Sequence, residues 1–260
     1  MAKKIFIFIA VCALVVGVAL PLSGCVSVQG TGEMRPHTVE LSRSFNAINV
    51  SGSFVVHFEY SETESVRFEM QDNIFELVRV NVRDNTLRVD SRRSFTTSTE
   101  NRPRMYVTAP SLTSARFSGS TRAEGWDKII EESFELRTSG SSNVNIAVEV
   151  KEFAINTSGS SRITAAMEVD ELDLRASGSA NFTLSGTATE LNVRISGSAR
   201  VEGLLLQTYD TTLSLSGSAR VYIAVENTLD VRVSGSARVR YSGRPYITQR
   251  ISGSGSVQSV

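Results

Sequence analysis

The chain has 260 residues, of which 41% are hydrophobic and 21% charged, and its 27 basic residues balance its 27 acidic residues. A chain this long and this rich in apolar residues buries a substantial core, which excludes intrinsic disorder. A formal net charge of zero provides no global attraction to a polyanion, so nucleic acid is not expected as a partner.

The N-terminus has the features of an export signal. Two lysines precede an apolar run at 5–20, and the small residues of "LSGC" at 22–25 follow it directly. The run is too short for a membrane-spanning helix, which favours a signal peptide over residues 1–24. "LSGC" resembles the bacterial lipobox, and this resemblance implies cleavage before Cys25 and lipidation of its thiol. Ordinary secretion with a chance cysteine is the alternative.

The rest of the chain agrees with export and lipid anchoring. The second cysteine, Cys12, lies within the signal, so the mature protein has no pair of cysteines to form a disulfide. Val26 follows the lipidated cysteine, whereas an Asp there is the familiar signal for retention at the inner membrane. We therefore expect a protein exported and anchored to a membrane through lipid, with the outer membrane favoured. It would face the periplasm or the cell surface, with residues 25–44 as a tether.

Residues 45–112 read as strands joined by ordinary turns. "FNAINVSGSFVVHFEY" at 45–60 and "FELVRVNVRDNTLRVDS" at 75–91 alternate apolar and polar residues, and "RDNTL" suits a hairpin turn. The repeat in the following residues, described next, indicates a solenoid. A solenoid needs a cap over its first coil, and we expect residues 45–112 to provide one.

Residues 113–260 contain an internal repeat. A glycine, in most copies flanked by serines, recurs at intervals of 18 to 21 residues, for example 19 between Gly159 and Gly178. Eight copies at a nearly fixed period indicate a solenoid. The eight glycines are Gly119, Gly140, Gly159, Gly178, Gly197, Gly217, Gly235 and Gly253.

The alternation around each glycine predicts strands. Residues two before and four after it are mostly apolar, and the residue two after it is small, as in Ile195, Val201 and Ala199 around Gly197. This even spacing predicts an all-β chain forming a parallel β-solenoid, with glycine pointing inward at a tight bend and serines pointing outward. Each rung would consist of a strand, a glycine bend, a second strand and a return loop of varied length. Gly52, in "NVSGSFVV", reads as an isolated copy upstream.

These features together resemble a known family. "FNAINVSGSFVVHF", "YVTAPSLTSARFSGS" and the "L-x-V-x-x-SGSA-x-V" rungs are similar to the auto-transporter adhesin head GIN domain, a family widespread in bacterial envelope lipoproteins. The resemblance covers about residues 45–257, which would form one head domain. It implies a β-solenoid fold and an adhesin-like role.

Arginines form the most informative polar pattern, because their fixed offsets from the glycines predict stacked outward columns. Acidic residues two positions earlier, such as Asp173 before Arg175, are expected to pair with some of them. We hypothesise that Arg194, Arg200, Arg220, Arg232 and Arg238 bind anionic glycans, since the guanidinium fork suits sulfate, phosphate and carboxylate. The alternative is that the arginines solvate the sheet and discourage lateral aggregation. Arginines three before a glycine are Arg116, Arg137, Arg175, Arg194, Arg232 and Arg250; those three after are Arg122, Arg162, Arg200, Arg220 and Arg238.

Catalysis is not expected. His37 falls in the predicted tether and His57 at a solvated position, so they are not spaced as metal ligands. The many carboxylates, including those of 149–152 and 168–173, are expected in return loops. No phosphate-binding loop occurs, and neither cofactor nor metal is expected.

Three functions remain from the sequence. The first is an adhesin-like envelope lipoprotein that binds a ligand such as an anionic glycan without catalysis. The second is a structural or stress-linked envelope lipoprotein without a ligand, acting through a protein partner. The third, less favoured, is a polysaccharide-degrading enzyme.

Overall fold

The computed structural model describes residues 27–260. The predicted signal peptide, 1–24, and the predicted lipidation site, Cys25, lie outside the described residues. Within 27–260, no helix is long and apolar enough to cross a bilayer.

The N-terminal part contains nine strands and one short helix. Val28–Gln29 (β1), Arg35–Val39 (β2), Ala47–Gly52 (β3), Val55–Tyr60 (β4) and Ser65–Met70 (β5) come first, followed by the helix Asp72–Phe75 (α1). Val78–Arg83 (β6), Thr86–Ser91 (β7), Phe95–Thr96 (β8) and Arg104–Ala109 (β9) complete it.

The C-terminal part contains twelve strands, several of them long. They are Ser114–Gly119 (β10), Arg122–Ala123 (β11), Ile129–Ile130 (β12), Ser133–Gly140 (β13), Asn143–Gly159 (β14), Arg162–Gly178 (β15), Asn181–Gly197 (β16), Arg200–Gly217 (β17), Arg220–Gly235 (β18), Arg238–Ser242 (β19), Tyr246–Gly253 (β20) and Ser256–Ser259 (β21).

Strands β10 to β21 stack in parallel as the turns of a β-solenoid, so the predicted fold class is confirmed. Gly140 pairs with Gly159, and Gly159 with Gly178, in the same register. The 20-residue interval before Gly217 coincides with a register shift between β16 and β17, where the step from Thr183 to Ser185 faces the longer step from Glu202 to Leu205. An irregularity inside one strand therefore absorbs the extra residue without disturbing the stacked bends.

The return from one rung to the next is a second corner within a strand, not the loop expected from the sequence. β14 and β15 pair along nearly their whole length, with Lys151 and Asp170 omitted from the register. Buried residues alternate up to Val150 and resume at Phe153, an odd step that exchanges the inward and outward faces. Each rung therefore has two strand faces and two corners, and the carboxylates near 149–152 lie at the second corner.

The glycines do not point inward, which corrects the sequence expectation. The residues two before and two after them are buried in most rungs, but seven of the eight repeat glycines have φ between +85° and +114°, and Gly197 has +135°. A Cβ on Gly197 would lie 2.5 Å from the carbonyl oxygen of Gly178, so it would point along the stack into the preceding rung. Glycine is required for its backbone conformation and for this close approach.

Gly52 is part of the same column, not an isolated copy. It pairs with Gly119 through the parallel register of β3 and β10. On the N-terminal side of this rung, β7 pairs in parallel with β3, and β9 pairs in parallel with β4. The antiparallel strands β6 and β5 then pair with β7 and β9, one on each face of the solenoid. The strand β2, from the segment expected to be a tether, adds antiparallel to β5. The N-terminal strands thus extend both faces of the solenoid.

The core is a set of stacked apolar columns. Leu136, Ile155 and Leu174 occupy equivalent inward positions in successive rungs and are fully buried. Phe134 and Phe153 pack against each other in a tilted arrangement, with ring centroids 5.8 Å apart. Each such side chain stabilises the fold by about 1.5–3 kcal/mol through burial, and adjacent rungs supply each other's contacts.

Replacing Gly197 with alanine should lower the free energy of unfolding by about 2–4 kcal/mol, because the new methyl group meets a backbone carbonyl in an unfavourable φ region. Gly32→Ala is the matched control, since Gly32 has φ +86° and no atom within 4 Å of the position that a Cβ would take. It should cost only about 1 kcal/mol. Denaturant unfolding compares the two. Equal losses would show that close stacking of the glycines is unimportant.

Candidate functional site

An open groove of about 1280 Å³ runs along the outside of the stack beside the glycine column. It is lined mainly by the residues three, two and one before the glycines, together with Glu135, and we call it the arginine groove. It extends from Arg116 in the first regular rung to Ser252 in the last. With about 4.8 Å between rungs, seven steps give it a length of roughly 34 Å. An elongated groove of this kind suits a polymer better than a small molecule.

Two polar columns line the groove. The serines directly before the glycines form one, as with Ser177 and Ser196, which pair in register. The residues three before the glycines form the other, because the same register stacks them. From the first rung to the last these are Arg116, Arg137, Asn156, Arg175, Arg194, Ser214, Arg232 and Arg250.

Acidic residues hold several of these arginines in place. Arg137 forms an ion pair with Glu135 at 2.5 Å, and Arg232 forms one with Asp230 at 2.9 Å. Asp173 accepts from Arg175 at 2.5 Å and from Arg194, in the next rung, at 3.3 Å. The pairs expected two residues apart are therefore present.

The arginines remain available to a ligand. About half of the side-chain surface of Arg137, Arg175, Arg194 and Arg232 is exposed, at 48% to 57%. Exposed ion pairs of this kind contribute only about 0–1 kcal/mol each. Their main effect is to orient the guanidinium groups, each of which has five N–H donors and uses only part of them in its ion pair.

Carboxylates border the opposite side of the same face. Glu152, Glu171, Glu190 and Asp210 stack in register near the second corner. Glu171 lies four residues before Arg175 on one strand, about 13 Å away. The face therefore changes from acidic to basic across its width, which favours an anion at the groove and disfavours it elsewhere.

The other arginine column is separate from the groove. Arg200, Arg220 and Arg238 stack in register on the strands that follow the glycine bend, and none of them lines the groove. Arg200 bonds Glu202 and lies over the ring of Tyr222 at 5.4 Å. We call these three the corner arginines. Of the five arginines hypothesised from the sequence to bind glycans, the structure brings Arg194 and Arg232 into the groove.

The two histidines have different surroundings from those expected. His37 lies in β2, stacks on Phe75 at 4.1 Å, and has Nε2 3.3 Å from Asp72. His57 was expected to be solvated, yet it is half-buried and stacks on Tyr106 at 4.8 Å. Among residues 27–260, no group of three or more His, Cys, Asp or Glu side chains is arranged to hold a metal ion.

The two neutral members of the groove column, Asn156 and Ser214, were not recognised from the sequence. The Asn156 amide donates to Glu135 at 3.1 Å. Both residues lie three before a repeat glycine, and this common offset is the sequence signal that places them in the column.

A parallel β-solenoid with a long groove on one face defines a class of elongated repeat domains in which the stack itself forms the exposed surface. More specifically, the family model described as "Putative auto-transporter adhesin, head GIN domain" matches residues 44–164 and 147–245. The chain belongs to this family. An adhesin-like family indicates a location at the cell surface or envelope.

Solved structures share the fold. The chain resembles "a putative adhesin" from Parabacteroides merdae with a TM-score of 0.83 and 21% identity, over 90% of this chain and 99% of that one. It resembles a "Putative lipid binding protein" from Parabacteroides distasonis with a TM-score of 0.84 and 21% identity, over 90% and 100%. It resembles "a putative adhesin" from Bacteroides fragilis with a TM-score of 0.68 and 18% identity, over 90% of this chain and 100% of that one. No curated protein matches the chain.

Acidification should destabilise the N-terminal part through His57. Burial lowers the pKa of His57 below its usual 6.5, and the coulombic effect of Glu124 opposes this only in part. The unfolded chain therefore binds the proton more tightly, so stability is present above pH 6.5 and is lost as pH falls through the lowered folded pKa. Thermal unfolding between pH 7.5 and 5 should show a smaller loss for His57→Gln than for the wild type. Identical pH profiles would contradict this.

Proposed function

We propose that this protein is an exported lipoprotein, anchored through Cys25, that binds an anionic glycan along the arginine groove without catalysis. The observation that carries the proposal is the groove itself, in which an unbroken serine column runs beside a column that contains six arginines. Guanidinium groups recognise carboxylate and sulfate through paired N–H donors, and serine hydroxyls bond to sugar hydroxyls. Weak contacts repeated over many rungs add to a useful affinity.

The direction of the groove also favours a polymer. Its rungs repeat along the stack axis, so an extended chain lying parallel to that axis meets the same chemistry at each step. The stacked carboxylates on the far side of the face repel a polyanion that drifts from the groove. A family of adhesins accords with such a role at the envelope.

The anchor has a direct test. Cys25→Ser should abolish incorporation of labelled fatty acid and move the protein from the membrane fraction to the soluble fraction, because no thiol remains to carry lipid. Metabolic labelling with fractionation measures both. A Cys25→Ser protein that is still labelled and membrane-bound would show that the anchor is elsewhere.

The groove has a charge-matched test. The variant R175Q/R194Q/R232Q removes three charges from the groove and should reduce affinity for acidic polysaccharide by at least about tenfold. The variant R200Q/R220Q/R238Q removes three charges from the corner arginines and should retain affinity. Both should unfold within about 0.5 kcal/mol per substitution of the wild type. Wild-type binding should weaken with salt, since the contacts are exposed.

Titration of the mature domain on immobilised polygalacturonate and on a neutral glucan measures these effects. Equal affinity in both triple variants would remove the groove as the site. No wild-type binding to acidic polysaccharides would favour a structural role through a protein partner. Binding to phosphatidylglycerol vesicles alone would assign the groove to an anionic lipid surface and overturn the glycan proposal. Release of reducing ends would indicate an enzyme.

A further inference from the structure

The arginines of the groove are not evenly distributed. They occur as three pairs in adjacent rungs: Arg116 with Arg137, Arg175 with Arg194, and Arg232 with Arg250. A rung with a neutral residue, Asn156 or Ser214, separates one pair from the next. Below the first pair, Asn49 occupies the same column. The column therefore repeats every three rungs.

Each arginine pair contains one carboxylate. Glu135 pairs with Arg137 of the first pair, Asp173 pairs with both members of the second, and Asp230 pairs with Arg232 of the third. The other residues at this offset, five before the glycine, are neutral: Ser114, Ala154, Asn192, Thr212 and Thr248. Two positive charges and one negative charge leave each pair with a net charge of +1.

The groove therefore presents one net positive charge per three rungs, or about one per 14 Å at 4.8 Å per rung. Between these points lie an amide, a hydroxyl and the continuous serine column, which hydrogen-bond to neutral groups. A ligand with a charge at every step would place most of its anions opposite neutral rungs or beside Glu135, Asp173 and Asp230.

We propose, resting on the function proposed above, that the groove selects an extended acidic polysaccharide in which single charges are separated by neutral sugars. The arginine pairs bind the charged sugars, and the intervening rungs bind hydroxyl groups. Net charge spacing, rather than total charge, is then the basis of selection. A densely charged chain loses hydration at anions for which the groove offers no cation.

Homogalacturonan chains of one length with different methyl-ester contents test the spacing, because each ester removes one carboxylate from an unchanged backbone. At physiological ionic strength, affinity should be greatest when about two thirds of the sugars are esterified. It should fall at least about threefold both for the fully charged and for the fully esterified chain. Affinity that rises steadily with charge would overturn the spacing proposal.

A gain-of-charge variant tests the same idea from the protein side. N156R/S214R fills the two neutral rungs and should move the preference toward the fully charged chain. N143R/N181R is the matched control, because these asparagines fill equivalent gaps between Arg122, Arg162 and Arg200 on the strands after the bend. It adds the same charge outside the groove and should leave the preference unchanged.

The outcomes separate the two proposals. If the wild type binds no member of the series, both the glycan function and the spacing fail. If it binds but the fully charged chain is always preferred, the function stands and the spacing is wrong. An equal change of preference in both double variants would show that total charge governs binding, which also overturns the spacing.

Discussion

The contact of one glycine on the next is the constraint on which the rest of the structure depends. The N–H of Ser198 donates to the carbonyl oxygen of Gly178 at 2.8 Å, and that of Ser218 to Gly197 at 2.9 Å. The same oxygens lie only 2.5 Å from the position that a Cβ of the following glycine would take. The backbone ladder can turn the corner without interruption only because no side chain intervenes. This fixes the register of every rung, and hence aligns the core columns and the arginines.

The repeat and the strand parity were sufficient to predict the fold class and the inward apolar columns. They were insufficient for the orientation of the glycines, because counting by twos assumes an extended backbone and a residue at positive φ breaks that rule. The second corner could not be predicted for a related reason. Between Val150 and Phe153 the alternation shifts by one, which reads as a loop when each rung is considered alone.

Only part of the candidate groove could be predicted from the sequence. Offsets from the glycine show which arginines stack, but parity alone does not say on which side of a bend a column lies, so Arg194 and Arg200 were grouped together. The groove depends on the shape of the whole face, which no single repeat encodes. Likewise, no sequence feature near Gly52 indicates its pairing with Gly119, because strands β4 to β9 lie between them in the chain and form the end of the stack.

The uniform glycine edge has a genetic consequence. Repetitive coding sequence is prone to the loss or duplication of one whole repeat. Such an event would place two rungs side by side whose backbones already pair in the same glycine register, so the chain would remain folded. The lateral position of the arginines would survive, but their order would not. Removing a single rung would bring two arginine pairs together or leave one arginine without its neighbour, whereas removing three would restore the pattern. A change in length by three rungs would therefore keep the charge arrangement, whereas a change by one rung would keep only the stacking of the backbone.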